Sequence, residues 1–289
     1  MIKFELRKLF GSRWFYVAVG IGCALAVWSA LEAWHIDVSA DAAELSYGHG
    51  INLEAAYHSG FSNKSCFSNW MLVNTNATLG ATIFFYLAPL LAAIPFAWSL
   101  ASEQITGYYA QGCVRSGRGR AMVSKAIAVF ISGGLTILIP LLVNFVIVAC
   151  IFPAYMPEYV DSQYIGVFEP AQWSYLFYNA PAAYVAAFCI WDFLLCGAWA
   201  VFALSISTIS RNRVIILVFP YLLALGWTYL NRYLFTAILS VVGPGANLID
   251  ALQAITGLFT DVPIFMAEAV FLFGASLVFL HRDAWRDLL

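Results

Sequence analysis

Charge is what this chain lacks most: Asp, Glu, Lys and Arg supply 10% of its 289 residues, where a soluble globular protein carries about 25%. Hydrophobic residues fill 62%. A chain of this size cannot hide so much apolar surface in a water-soluble core, so lipid must be the solvent for most of it. Paired cysteines of the metal or redox kind are also missing. None of the six cysteines forms a Cys-x-x-Cys pair, which leaves zinc and thioredoxin-like readings unsupported. Only Cys66 is expected in an exposed loop; Cys23, Cys113, Cys150, Cys189 and Cys196 fall in apolar runs or beside basic segments. There is no Gly-x-x-x-x-Gly-Lys-Ser/Thr phosphate loop, no His-Glu-x-x-His and no Gly-x-Ser-x-Gly elbow, so the usual signatures of a nucleotidase, a metalloprotease or a serine hydrolase are absent.

What is present is a series of apolar runs. A transmembrane helix needs about 20 mostly apolar residues. Six runs qualify: Trp14–Trp34, Gly80–Leu100, Ala126–Phe152, Ala182–Ile209, Val214–Leu230 and Pro263–Leu280. Pro89 and Pro95 should kink the second. The first has no small-residue cleavage site and is followed by further spans, so it reads as a retained helix. The expected fold is an all-α polytopic membrane protein forming a single domain over residues 1–289.

Basic residues set the orientation. Lys3, Arg7, Lys8 and Arg13 precede the first run, and Arg115, Arg118, Arg120 and Lys125 separate the second from the third. Arg211 and Arg213 follow the fourth, and Arg282 and Arg286 follow the sixth. These alternate segments hold 12 of the 14 Lys and Arg residues, leaving Lys64 and Arg232 for the opposite side. Both termini are therefore expected in the cytoplasm. Trp14, Phe15 and Tyr16 mark one inner edge of the bilayer, and Trp173, Tyr175, Phe177 and Tyr178 an outer edge.

Three segments are neither spans nor simple loops. In Ile2–Phe10, the residues Ile2, Leu6, Leu9 and Phe10 share a helical face. The segment reads as an interfacial helix or as a plain positive flank of the first span. Residues 102–125 begin with Glu103–Tyr109, which could be helical, and continue as a basic, glycine-loosened turn, Arg115–Arg120. That turn alone reads as a topology determinant touching anionic lipid. Residues 233–262 are almost uncharged, and Gly243-Pro244-Gly245 splits them into halves too short to cross a bilayer. A re-entrant hairpin fits this pattern, provided protein or a water-filled cavity surrounds it.

Two intramembrane carboxylates stand out, because such groups are costly in lipid and are functional candidates by default. Asp192 lies near the middle of the fourth run. It is read as a protonated acid, as a partner of a polar neighbour such as Asn144, or as part of a cavity for a cationic or amine-bearing substrate. Glu268 lies in the sixth run, where Arg232 could reach it as a structural pair. His35, His49 and His58 share a loop with acidic residues, for which a solvated loop is the default over a metal site.

The whole pattern resembles the permease subunit of the type-2 ABC exporters, the ABC-2 class. The resemblance covers essentially the full chain. Ile2–Phe10 is similar to the elbow helix of that family. Glu103, then Gly107, then Arg115, Arg118 or Arg120, and Lys125 opening the third span resemble its coupling helix, which starts with an acidic residue. The segment around Gly243-Pro244-Gly245 resembles its re-entrant helices. The resemblance implies a non-enzymatic permease in the cell membrane, with no cofactor of its own. ATP and Mg would act on a separate cytoplasmic ABC ATPase, present in two copies. A second permease, the same or homologous, would complete one pathway through the lipid bilayer, with Asp192, Glu268 and Asn144 as candidate pathway residues. The cargo would be hydrophobic or amphipathic, on family habit an antimicrobial peptide or drug; nucleic acid is not an expected partner. Two other classes compete: a secondary transporter using Asp192, and an intramembrane enzyme, for which no His or Ser motif accompanies the carboxylates.

Overall fold

The computed structural model describes residues 2–46, 64–169, 171–230, 233 and 248–254, with 270 and 274. Among these the chain is mostly helical, without strands. Four helices are long and apolar enough to cross a membrane. They are α2 (Arg13–Ser46), whose apolar part is Arg13–Ser39, α7 (Arg118–Ile151), α10 (Pro181–Ile206) and α11 (Arg213–Leu230). Helices α10 and α11 overlie expected spans closely; α2 continues past the expected end at Trp34, and α7 begins earlier than expected, at Arg118. The Arg115–Arg120 turn is therefore mostly helix: Gly117, at φ 79°, is the single break between α6 (Tyr108–Ser116) and α7.

The second expected span, Gly80–Leu100, is instead two helices. Helix α4 (Leu79–Ala93) keeps Pro89 inside it, and the chain then turns through Ile94–Trp98 and resumes as α5 (Ser99–Ile105). Pro95, which has no N–H to donate, sits at the break. The sixth span, Pro263–Leu280, and most of the 233–262 segment, including Gly243-Pro244-Gly245, lie outside the described residues. The described part of that segment includes the short helix α12 (Leu248–Ala251). It is docked by Trp191 Nε1, which donates to the Ala251 carbonyl at 3.0 Å, and by the Ala254 N–H on the Leu72 carbonyl at 3.2 Å.

Small residues let α7 and α10 approach closely. A Cβ on Gly133 would lie 2.5 Å from the Ala200 Cβ and 2.8 Å from the Cys196 carbonyl, and one on Gly197 would lie 2.9 Å from the Phe130 carbonyl. In lipid, helix association depends on such packing rather than on a hydrophobic drive. On α2, Ser29 plays a similar part against Gly80 of α4, where an added Cβ would meet the Ser29 nitrogen at 2.7 Å.

The acidic end of the bundle is plugged by residues 64–78. The short helix α3 (Cys66–Asn69) is capped by Ser65, and Trp70, Met71, Leu72 and Val73 are buried behind it. Cys66 is 1% exposed, which corrects the expectation of an exposed loop thiol. Its N–H donates to the Pro153 carbonyl at 3.0 Å, which holds it in a cluster with Val148 and Phe152.

Candidate functional site

At the basic end, four helices converge. The first is α1 (Ile2–Phe10), which turns at Gly11 into α2. Its buried residues are Glu5 and Leu9, while Ile2, Phe4 and Phe10 are exposed. The face packed on the protein thus differs from the purely apolar one expected, because Glu5 and Lys8 have partners inside. Next come α5 and α6, joined by Gly107 in the left-handed region at φ 73°, a conformation glycine adopts without a Cβ penalty. The fourth is the start of α7.

Glu103 of α5 ties these elements together. One of its carboxylate oxygens accepts from the Lys8 ammonium of α1 and the other from the Lys125 ammonium of α7. Lys125 also lies 3.5 Å from Glu5 Oε2. Two carboxylates and two ammonium groups therefore balance. Lys125 is only 1% exposed, deep enough that an uncompensated charge would be costly, and two carboxylates compensate it. Aromatic rings complete the surround: Lys8 Nζ sits 4.4 Å from the Tyr108 ring centroid and Lys125 Nζ 5.5 Å from that of Phe96, both within cation–π range.

Of the coupling residues expected from sequence, the structure brings together Glu103 and Lys125. Gly107 forms the turn between α5 and α6. Glu103 does not open a helix; it lies in the second half of α5, so lysines rather than a helix N-terminus balance it. Arg118 and Arg120 occupy the first turn of α7 and form no ion pair among the described residues. Arg115 closes α6, and its side chain lies outside the described residues. Sequence pattern misses Glu5 and Lys8 because they lie to one side of the apolar face of α1, where charges read as solvated. Their spacing of three makes them neighbours on the helix surface, a signal that becomes informative only once a partner is known.

Helix α6 is two-sided. Tyr109 is buried and Cys113 packs on the same cluster, whereas Tyr108, Gln111 and Val114 face outward, Val114 at 88% exposure. Ile105, at the end of α5, is also exposed. Arg213 flanks this surface, donating to Ser102 Oγ at 3.2 Å and lying 4.5 Å from the Trp98 ring.

Of the candidate pathway residues, the two that are described, Asp192 and Asn144, do not bond to each other. Asp192 is fully buried halfway along α10, and neither carboxylate oxygen has a hydrogen-bond partner among the described residues. Asn144 does not serve it. The Asn144 side chain is a clamp near the acidic end, accepting from the Met71 N–H at 2.9 Å and donating to the Ala26 carbonyl at 2.8 Å. Glu268 lies outside the described residues. A further carboxylate, Glu32 of α2, falls within the first apolar run and carries no motif that would single it out. It accepts from the Gly80 N–H at 3.1 Å, in the first turn of α4, where a negative charge complements the helix dipole.

No protein-family model, curated protein or solved structure matches the chain.

Proposed function

We propose that the chain is the membrane-spanning half of an ATP-driven exporter of the ABC-2 class, with six spans and both ends in the cytoplasm. One observation carries the reading. Glu103 fastens the N-terminal helix, the α5–α6 pair and the long helix α7 into one body through Lys8, Lys125 and Glu5. A push on the outward face of α6 would therefore reach a spanning helix directly, instead of being lost in a loose connection. The exposed Tyr108, Val114 and Ile105 supply the kind of apolar contact that a partner subunit would cover. In this reading, two cytoplasmic ATPase subunits carry ATP and Mg and close on each other. Two permeases move between inward- and outward-facing states, and a hydrophobic or amphipathic cargo such as an antimicrobial peptide or drug leaves the cell.

The test is purification of the tagged chain from its native membranes in mild detergent. The proposal expects a phosphate-loop ATPase to elute with it and to hydrolyse magnesium ATP. Elution of the intact chain without any ATPase, together with transport that persists without ATP, would sink it. That second outcome would favour a secondary transporter, for which the buried Asp192 is the motivating observation.

A further inference from the structure

At the acidic end, a cleft of about 890 Å³ opens beside the segment between α7 and α10. It falls within the range of small-molecule sites, about 300–1,000 Å³. Met156, Glu158, Tyr159, Glu169, Tyr175 and Tyr178 are among its lining residues. It shares no residue with the cluster around Glu103.

The walls are held in place. After the short helix α8 (Ser162–Ile165), helix α9 (Ser174–Asn179) supplies Tyr175 and Tyr178. The Tyr178 hydroxyl donates to the Val167 carbonyl, and its ring meets Tyr159 edge to face at 5.4 Å. Ser174 Oγ donates to the Glu169 carbonyl at 2.6 Å, and Tyr159 donates to Glu169 Oε2 at 3.3 Å. Tyr175 is left 79% exposed, so its ring is free for a ligand.

Among the described residues, the charge beside the cleft is negative. The sequence has no Lys or Arg from residue 126 to residue 210, while Glu158, Asp161 and Glu169 all fall in the segment beside the cleft. Neither Glu158 nor Glu169 has an ion-pair partner among the described residues, and Lys64, at the same end, lies 3.9 Å from Asp37 instead. The phenols add no competing positive charge and little negative. Desolvation and the Glu169 carboxylate push the Tyr159 hydroxyl above its ordinary range, and burial with neighbouring Tyr159 and Asp161 does the same for Tyr178. Aromatic faces beside carboxylates attract cations that water hydrates weakly, alkylammonium groups above all.

We propose that this cleft is a binding site for an organic cation, an alkylammonium group carried on an apolar body. Glu158 and Glu169 supply the counter-charge, and Tyr159, Tyr175 and Tyr178 the aromatic walls. A free amine and a choline lipid headgroup present the same chemistry. The site does not depend on the exporter reading, and either can fail without the other.

The test is calorimetric titration of the full chain in neutral maltoside detergent with benzyltrimethylammonium, benzyl alcohol and benzenesulfonate. Saturable binding is expected for the cation alone. The double variant Glu158→Gln, Glu169→Gln should weaken it by about tenfold or more, and Tyr175→Leu by several-fold. Thermal unfolding confirms that each variant is folded. Repeating the titration in phosphatidylcholine discs separates the sources. Weaker apparent binding there means that the lipid headgroup occupies the cleft, and unchanged binding means that the cation is soluble. Equal binding of benzyl alcohol, no saturable binding of the cation, or an unaffected double carboxylate variant would overturn the proposal.

Discussion

Lys125, almost wholly buried at the start of α7, is bonded to Glu103 of α5, twenty-two positions earlier in the chain. Lys8 holds the other oxygen of the same carboxylate but remains 32% exposed at its side chain. Two lysines on one acid thus carry unequal weight. Lys125→Met would leave the buried Glu5 and the partly buried Glu103 with Lys8 as their only described counter-charge, a defect that costs about 3–5 kcal/mol for a broken buried pair. Lys8→Met should cost less, about 1 kcal/mol, because the half-exposed Lys8 ammonium keeps part of its hydration and Lys125 still balances Glu103. Thermal unfolding of the two variants in detergent checks the order. Equal losses would mean that the burial of Lys125 does not set the energy of the cluster.

The approach of α7 and α10 gives a second prediction. At Gly133, a new Cβ meets Ala200 and a backbone carbonyl of Cys196, and a carbonyl cannot step aside as a flexible side chain can. Gly133→Val should lose about 1–3 kcal/mol through overpacking. Gly226 on α11 has open space around its would-be Cβ. Gly226→Ala should be neutral or stabilise by up to about 1 kcal/mol through helix propensity. A Gly133→Val protein that melts with the wild type would show that the two helices do not pack as closely as described.

Asp192 supplies a third. A carboxylate at mid-bilayer costs about 2.5 kcal/mol or more on insertion scales, and among the described residues nothing repays it with a hydrogen bond. An asparagine in its place would keep size and polarity while removing the ionisable group. The expectation for Asp192→Asn is altered transport or cargo preference per folded molecule, with unfolding temperature little changed. Wild-type transport with an unchanged cargo profile would remove Asp192 from the pathway; a lower membrane level with a lower melting point would mark it as structural.

Much of the architecture can be read from apolar run length alone. The runs Ala182–Ile209 and Val214–Leu230 correspond to α10 and α11 within a few residues, because a helix in lipid satisfies its own backbone and needs no knowledge of its neighbours. In Gly80–Leu100 the prolines foretell a kink, but hydropathy does not register that the chain at Pro95 breaks into two helices. Cys66 reads wrongly as exposed because a short polar-flanked stretch looks the same whether it is solvated or folded back beneath Pro153. The site is half legible: Glu103, Gly107 and Lys125 are singled out by the resemblance to a coupling helix, whereas Glu5 and Lys8 lie about a hundred residues away along the chain and become partners only through packing. Depth alone pairs Asn144 with Asp192, and its backbone partners, Met71 and Ala26, leave no trace in the sequence.

The central claim, that the outward face of α6 receives force from a separate ATPase, is tested most directly by site-specific photocross-linking in native membranes. A photoreactive residue at Val114, which is 88% exposed, is compared with one at Gln163, exposed at the opposite end. The account predicts an adduct at position 114 that contains a phosphate-loop ATPase, and no such adduct at 163. An ATPase captured at 163 instead, or none at 114 from a chain present at wild-type level, would contradict it.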